Sequence, residues 1–224
     1  MELKSVNPAT GEIIKTYLVD SKELITAKIE LAELSFRKSS PTSFPERSRR
    51  LMRLAEILRE EKFTLSKVIT TEMGKISKEA LAEVEKCALV CEYYANHGVS
   101  FLADEERLTD ATHSYVKYEP MGVILAVMPW NFPFWQVFRF AAPAVMAGDI
   151  VLLKHASNVF GCALEIERIF KLAGFKENEL QSLIIPSSMV KAVIEDKTVK
   201  AVTLTGSEYA GSQVASVAAN QIKK

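Results

Sequence analysis

The chain has 224 residues, 48% of them hydrophobic and 25% charged, and its 28 basic side chains balance 28 acidic ones. This composition is ordinary for a folded, water-soluble domain, and without a basic excess nothing indicates a nucleic acid or an anionic membrane as a partner. Apolar runs such as residues 122–129 are too short to cross a bilayer. The opening MELKSVNPATGEII lacks the apolar core of a signal peptide, and three cysteines make no disulfide framework, so we expect a cytoplasmic protein.

The first 104 residues are predicted to be mainly helical. Residues 7–11 (NPATG) suit a turn between two short extended segments, because Asn, Pro and Gly favour turn dihedral angles. Ser21 is expected to cap a first helix. The apolar stripe of that helix would consist of Leu24, Ala27, Leu31 and Leu34.

Three more helices are predicted before residue 104. Ser43 and Glu46 have the spacing of a capping box around Pro45, and the helix they begin would face inward with Leu51, Leu54 and Leu58. A third helix would end at Gly74. A fourth, over residues 77–101, would bury one stripe made of Ala80, Val84, Cys87, Cys91 and Tyr94.

The pattern changes at Pro120. Residues 112–119 alternate as an exposed strand does, whereas residues 123–128 form a continuous apolar run, which is typical of a strand buried on both faces. Strands and helices then alternate along the chain. The further strands are predicted at 149–154, 182–185 and 199–205, and the helices at 134–146, 159–173, 189–195 and 207–222.

This alternation predicts an α/β fold with a doubly wound parallel sheet and right-handed crossovers. In such sheets ligands bind beyond the carboxyl ends of the strands. The candidate binding rim therefore comprises residues 129–131, 154–157, 186–188 and 205–207.

One rim segment, Pro129-Trp130-Asn131-Phe132-Pro133, carries an amide side chain between two prolines. The prolines stiffen the turn, and a fixed N–H donor is what an oxyanion needs when a carbonyl carbon is attacked. The alternative is a strand-to-helix turn in which Asn131 is only a helix cap. The residues alone leave both interpretations open.

The PWNFP segment, following EPMGVILAVM, resembles the signature of the aldehyde dehydrogenase superfamily. Other segments match that family in the same order along essentially the whole chain: NPATGE, EMGK at 72–75, AGD at 147–149, LLK at 152–154 and LTGSEYAG at 204–211. The resemblance is strongest to the NAD(P)-dependent succinate-semialdehyde dehydrogenases. It implies an oxidoreductase that converts an aldehyde to the acid.

The resemblance also implies a domain organisation. The chain would form the family's Rossmann-like cofactor-binding domain, with a mainly helical part at 1–104, an oligomerisation-arm-like strand at 105–120 and the sheet at 121–224. The family's catalytic domain would be missing, and with it the nucleophilic cysteine and the glutamate that activates water. Cys87, Cys91 and Cys162 match no nucleophile and are interpreted as structural, and no zinc site is expected around them.

Site residues follow from the same resemblance. Asn131 matches the family's oxyanion-hole asparagine, and Pro129 and Trp130 beside it match cofactor contacts. Gly206 and Ser207 match residues near the cofactor pyrophosphate, where a glycine and free helix N–H groups admit an anion. Without the resemblance, Ser207 before a helix would be read simply as a cap.

Lys154 and Ser157 bear on the choice of cofactor. The resemblance makes Lys154 a contact of the adenosine ribose, whereas an isolated strand-terminal lysine is more commonly a solvated side chain. NAD-preferring relatives often carry Glu at the position of Ser157, and a carboxylate would repel a 2′-phosphate that a hydroxyl can bind. The pair therefore favours NADP, with NAD as the alternative, unless Ser157 only caps the next helix. His155, where the family often has Pro, is interpreted as structural.

Arg139 is the candidate for substrate selection. It matches an arginine of succinate-semialdehyde dehydrogenases and can hold a distal carboxylate with two hydrogen bonds. The alternative is a solvated or interface arginine, which the neighbours Phe138 and Phe140 make less favoured. The predicted partners are thus a small aldehyde with a distal carboxylate and, through an exposed sheet edge, a second copy of the chain. A non-catalytic nucleotide-binding or subunit-interaction module is the competing functional interpretation.

Overall fold

A two-stranded hairpin and four helices form the amino-terminal part of the fold. In this computed structural model, which describes residues 2–39 and 42–224, strand β1 (Glu2–Val6) pairs antiparallel with β2 (Ile13–Leu18) across the NPATG turn. The helices that follow are α1 (Lys22–Ser39), α2 (Phe44–Glu60), α3 (Lys62–Met73) and α4 (Ser77–Phe101). The predicted turn and the four predicted helices are confirmed.

Helix α1 buries a different face from the predicted one. Ser21 does cap it, since its hydroxyl accepts a hydrogen bond from the Leu24 amide at 3.2 Å. Ile25 and Ile29 are buried against the sheet, whereas three leucines of the predicted stripe are exposed: Leu24, Leu31 and Leu34. Two apolar stripes with helical spacing lie side by side here, and the spacing alone does not decide which of them faces the core.

The predicted capping box at α2 is wrong. The Ser43 side chain makes no capping bond, and the Glu46 carboxylate binds the guanidinium groups of Arg49 at 2.7 Å and Arg50 at 2.9 Å. Arginine–carboxylate pairs of this kind are charge-assisted hydrogen bonds. The inward residues are as predicted, because the three leucines at positions 51, 54 and 58 are all fully buried.

The predicted exposed strand at 112–119 is shorter than expected. Only β3 (Glu105–Glu106) and β4 (Tyr115–Val116) pair, as a two-residue antiparallel ladder. Tyr115 and Val116 are both exposed, so little of this segment is stabilised by burial.

Four parallel strands form the main sheet: β5 (Val123–Met128), β6 (Ile150–His155), β7 (Leu180–Ser182) and β8 (Val199–Leu204). Their order is β7-β6-β5-β8, so β5 is paired on both sides. Strand β7 lies earlier than predicted. The apolar residues Leu183 and Ile185 are fully buried but lie beyond the strand, which shows that burial alone does not define strand pairing.

The connecting helices cover both faces of the sheet. They are α5 (Trp135–Ala147), α6 (Phe160–Leu172), α7 (Val190–Glu195) and α8 (Glu208–Asn220). Ala126 and Met128 of β5 pack into the core formed with α2 to α6, whereas Val123 and Leu125 pack into the core that contains residues of α1, α7 and α8. The doubly wound prediction is confirmed. Over residues 2–39 and 42–224, no helix is both long and apolar enough to cross a membrane.

The AGD segment at 147–149 joins α5 to β6 through three contacts. Gly148 has φ = 103°, and a Cβ on it would lie 2.6 Å from the Arg47 guanidinium. That guanidinium donates to the Ala147 carbonyl at 2.9 Å and so caps the end of α5. The Asp149 carboxylate accepts from the amides of Met121 (2.6 Å) and Gly122 (2.9 Å), which fixes the entry to β5. The motif is therefore structural and lies at the amino end of the strands, opposite the predicted rim.

Candidate functional site

The carboxyl ends of β5, β6 and β8 lie side by side. In the register of the sheet, Val127 of β5 is paired with Lys154 of β6 on one side and with Leu204 of β8 on the other. The PWNFP turn therefore lies between the other two rim loops. An open cleft of about 240 Å³ separates this turn from the start of α8, and it is lined by Pro129, Trp130, Asn131, Thr205, Gly206 and Ser207. The structure thus brings together five of the eight predicted site residues.

Asn131 is exposed at the edge of this cleft, whereas the residues after it are anchored. The amides of Phe134 and Trp135 donate to the buried Glu83 carboxylate at 2.9 and 3.0 Å. The Pro133 carbonyl is bonded to the His155 ring at 2.7 Å. A carboxamide that faces solvent from a fixed turn is available to a ligand.

His155 ties the end of β6 to the PWNFP turn. Its Nδ1 accepts from the Ala156 amide at 2.9 Å, so Nε2 carries the proton and donates to the Pro133 carbonyl. Burial lowers the pKa of His155 from 6.5 to about 4, so the ring is neutral in the folded protein. These contacts agree with the predicted structural role of His155. Nothing in the sequence indicated that its ring is bonded to the Pro133 carbonyl.

Lys154 is the unusual charged residue of the site. Only 5% of it is exposed, and burial lowers the pKa of its ammonium group. The hydrogen bonds and ion pairs of residues 2–39 and 42–224 include no partner for its Nζ atom. Because an ionised side chain is rarely buried without a partner, Lys154 is well placed to receive an anion or a hydroxyl group from outside the chain.

Ser157 lies beside Lys154 at the start of a 3-10 turn, Ser157–Val159, that leads into α6. It is partly buried. Neither the turn nor α6 receives a side-chain capping bond, so the alternative interpretation of Ser157 as a cap is wrong. Its hydroxyl remains available to a ligand near Lys154.

Gly206 and Ser207 are exposed at the amino end of α8. Ser207 caps this helix, since its hydroxyl accepts from the Ala210 amide at 3.2 Å. A Cβ at Gly206 would approach only Leu204 and Ala210, at 3.5 and 3.7 Å, which is ordinary contact. The fold itself therefore does not require a glycine here.

Arg139 is not among the residues that line the cleft. It projects from the exposed side of α5, between the buried Phe138 and the partly buried Phe140. The expectation that these neighbours would exclude solvent from Arg139 is wrong for this chain, because adjacent residues of a helix point about 100° apart. The guanidinium has no hydrogen-bond or ion-pair partner within the part of the chain that the structure describes.

Sequence reasoning missed a larger groove next to the cleft. It has a volume of about 450 Å³ and lies between α7 and α8, with a mainly apolar lining that includes Ser187, Val190, Ile194, Leu204, Val214 and Val217. The only signal for it was the predicted position of residues 186–188 on the rim. The sequence did not indicate that α8 lines this groove, because the groove forms only where two helices meet over the end of β8.

The three cysteines are all buried. Burial raises the pKa of each thiol, in Cys87, Cys91 and Cys162 alike. A buried, protonated thiol is a poor nucleophile, which agrees with the structural interpretation. Within the described ranges, no three His, Cys, Asp or Glu side chains are grouped so that they could hold a metal ion.

These features define an α/β domain whose parallel sheet carries a lysine, a glycine and the capped start of a helix along one rim. The model of the aldehyde dehydrogenase family matches residues 1–224. The chain belongs to that family.

Individual relatives extend this finding. The chain is 50% identical over 224 residues to a probable succinate-semialdehyde dehydrogenase [NADP(+)] of Synechocystis, with 100% of the chain and 49% of the relative covered. It is 44% identical over 226 residues to succinate-semialdehyde dehydrogenase [NADP(+)] 1 of Mycobacterium tuberculosis, again over 100% of the chain and 50% of the relative. The chain therefore spans about half the length of the curated relatives it matches.

A solved structure gives the same result for the fold. The succinic semialdehyde dehydrogenase of Streptococcus pyogenes, crystallised in complex with NADP+, superposes with a TM-score of 0.96 at 34% identity and covers 99% of this chain and 49% of its own. The predicted fold class is confirmed by this agreement.

His155 should make the stability of the fold depend on pH. Its pKa is about 4 in the folded chain and 6.5 without burial. Between these values the unfolded chain binds the proton and the folded chain does not, so the free energy of unfolding should fall as pH falls. From pH 7 to pH 5 the loss should be roughly 2 kcal/mol. Urea unfolding at both pH values measures it.

The control for this prediction is the exposed His113. His155→Gln should remove most of the pH-dependent loss, whereas His113→Gln should keep it. An equal pH dependence in all three proteins would show that His155 is not buried in its neutral form.

Proposed function

We propose that this chain binds NADP in an aldehyde dehydrogenase that oxidises an aldehyde with a distal carboxylate, succinate semialdehyde by analogy with its relatives. The observation that carries the proposal is the largely buried Lys154, which has no partner among residues 2–39 and 42–224, at the rim of a domain that matches the family. The names of the relatives supply the cofactor and the substrate.

NADP is proposed over NAD because of the Lys154 and Ser157 pair. Within the described part of the chain, the Lys154 ammonium has no anionic partner and the Ser157 hydroxyl makes no capping bond. A ribose 2′-phosphate would supply three acceptor oxygens to both groups in a site that is largely screened from water, where such bonds are strong. Under NAD, the ribose hydroxyls would satisfy Lys154 without using its charge.

The rest of the nucleotide has complementary surfaces along the rim. The apolar groove between α7 and α8 has the size and lining for a flat base. Gly206 and Ser207 lie at the N–H end of α8, where a pyrophosphate is stabilised, and Pro129 and Trp130 line the same cleft from the other side. NADP, when bound, would accept the hydride that leaves the oxidised aldehyde.

Calorimetric titration of the chain with NADP+ and NAD+ tests this assignment. NADP+ should bind more tightly. Ser157→Glu should weaken NADP+ by about tenfold or more, because a carboxylate repels the 2′-phosphate and a charge-assisted hydrogen bond is lost, and it should leave NAD+ nearly unchanged. Lys154→Met should weaken both nucleotides.

The matched control is Lys171→Met, an exposed lysine of α6 that pairs with Glu167. It removes the same charge at the far end of α6, away from the rim, and should leave both affinities unchanged. If Ser157→Glu weakens NAD+ as much as NADP+, the 2′-phosphate does not lie at Ser157.

Asn131 and Arg139 are proposed to act on the aldehyde. Asn131 would donate its carboxamide N–H to the oxyanion that forms when the carbonyl is attacked, and Arg139 would hold the distal carboxylate. The family's nucleophilic cysteine and base glutamate match no residue of these 224 positions, and all three cysteines present are buried. We therefore propose that the 224-residue chain does not turn over substrate by itself.

An assay of the purified chain with succinate semialdehyde and NADP+ should show no NADPH formation. The reason is the missing nucleophile, so nucleotide binding should persist in the same preparation. Turnover that co-purifies with the 224-residue species and is lost in Asn131→Ala would contradict the prediction. Binding without turnover would also agree with the competing interpretation, a non-catalytic nucleotide-binding module.

Self-association through the edge of the sheet is also proposed. Strand β8 is an edge strand, and its Val202 amide already bonds to the Lys224 carbonyl at 2.8 Å. The surface beside this edge is lined by small and apolar residues of α8 and β8, including Leu204, Val214 and Ala215. Such an edge readily pairs with another strand, and a second copy offers an identical one.

Sedimentation velocity over a range of concentrations should therefore show dimers. Ala215→Lys adds a charge on that surface and should shift the protein to monomers, whereas Ser212→Lys, exposed on the same helix outside that surface, should not. A monomer at every concentration would contradict the proposed self-association.

A further inference from the structure

Four consecutive residues after Asn131 are each held by a group from another element, although Asn131 itself is exposed. The Phe132 ring lies under the Lys75 ammonium, with 3.6 Å between Nζ and the ring centroid. The Pro133 carbonyl accepts a hydrogen bond from the buried His155 ring. The amides of Phe134 and Trp135 share one carboxylate oxygen of Glu83, at 2.9 and 3.0 Å.

Glu83 acts as a cap that comes from a distant helix. It projects from α4 to the amino end of α5, where backbone N–H groups lack partners within the helix and the helix dipole favours a negative charge. The N-cap residue of α5, Phe134, has no side chain that could accept these bonds. With 1% of its side chain exposed, Glu83 is an internal part of the fold and not a surface residue.

Lys75 completes this arrangement. It forms an ion pair with Glu83, in which 10% of the lysine side chain and 1% of the glutamate side chain are exposed, and it places the same ammonium on Phe132. Gly74, with φ = 77°, ends α3 and turns the chain so that Lys75 leaves the helix. The pair thus holds the residues that directly follow Asn131.

The two charged residues of the EMGK segment, Glu72 and Lys75, each help to hold the start of a helix in place. Glu72 is buried and accepts from the amides of Gly161 and Cys162, at 2.9 and 2.8 Å, in the first turn of α6. Lys75 acts on α5 through Glu83. One short segment therefore anchors the amino ends of the two helices that follow β5 and β6.

We propose that Lys75 and Glu83 are positioning residues for Asn131, and this rests on the proposed role of Asn131 as the oxyanion donor. Glu83 occupies the free amides of α5, which would otherwise attract an anion away from the Asn131 carboxamide. Lys75 balances its charge and fixes Phe132. The pair leaves the Asn131 amide as the donor that the turn presents to the cleft.

The test compares Lys75→Met and Glu83→Gln with Lys78→Met and Glu79→Gln, which alter two exposed residues in the first turn of α4. Two readouts are taken on the folded chain. The first is the side-chain amide signal of Asn131 in ¹H–¹⁵N spectra, assigned from its loss in Asn131→Asp. The second is the affinity for NADP+ and for adenosine 2′,5′-bisphosphate, which lacks the half of the nucleotide that would reach the PWNFP turn.

In Lys75→Met and Glu83→Gln the Asn131 signal should broaden or double. NADP+ should bind about fivefold more weakly, while the affinity for the bisphosphate should stay within about twofold. Lys75→Arg should restore both readouts, and the two control variants should match the unaltered chain. Glu83→Gln keeps the shape of the side chain, so it serves if Lys75→Met does not fold.

An unchanged Asn131 signal in both variants overturns the proposal. Equal weakening of both nucleotides also overturns it, because that is the effect of a general loosening of the fold. If the unaltered chain binds neither nucleotide, the proposed NADP site fails, and the Asn131 signal then decides the positioning role by itself.

Discussion

Strand β5 forms parallel hydrogen bonds with β6 on one side and with β8 on the other, and it is buried between two helical layers. Because parallel neighbours end at the same edge, this pairing places the loops after β5, β6 and β8 next to one another. Each loop then contributes one kind of group to a common rim: an amide, an ammonium, and the N–H end of a helix. Without the central position of β5, these groups would be far apart.

Some polar residues of the rim are hydrogen-bonded within the protein, whereas others are not. His155, Glu83 and Ser207 have their hydrogen bonds satisfied by the protein. Lys154, Asn131 and Gly206 lie between them without such a structural need. The Lys154 side chain is largely buried, and its Nζ atom has no partner among the described residues, so it is a candidate for ligand binding. This contrast is a physical argument for ligand binding that does not depend on family membership.

Family membership and the relatives' names set the chemical context, yet the chain spans about half the length of those relatives. This chain has a hydrophobic core on each face of the sheet. The chain also carries three buried cysteines, each with a raised thiol pKa. Cofactor binding and aldehyde oxidation are therefore separable questions for this protein.

Much of the fold was determined by the sequence alone, because local patterns specify local structure. The continuous apolar run at 123–128 and the apolar stripe over 77–101 predicted elements with the observed bounds. The rim residues were also predictable, since strand–helix alternation brings the carboxyl ends of parallel strands together. The errors occurred where two local solutions compete, as in the two apolar stripes of α1 and the two possible partners of Glu46.

Only the tertiary structure decided which residues hold the site in place. Glu83 is 51 positions from Phe134, and His155 is 22 positions from Pro133. No periodicity or motif links such residues, because their contact depends on how separate helices and strands pack. The same holds for the exposure of Arg139 and the burial of Lys154: the sequence named both residues, and the packing of the chain determined which of them is shielded from water.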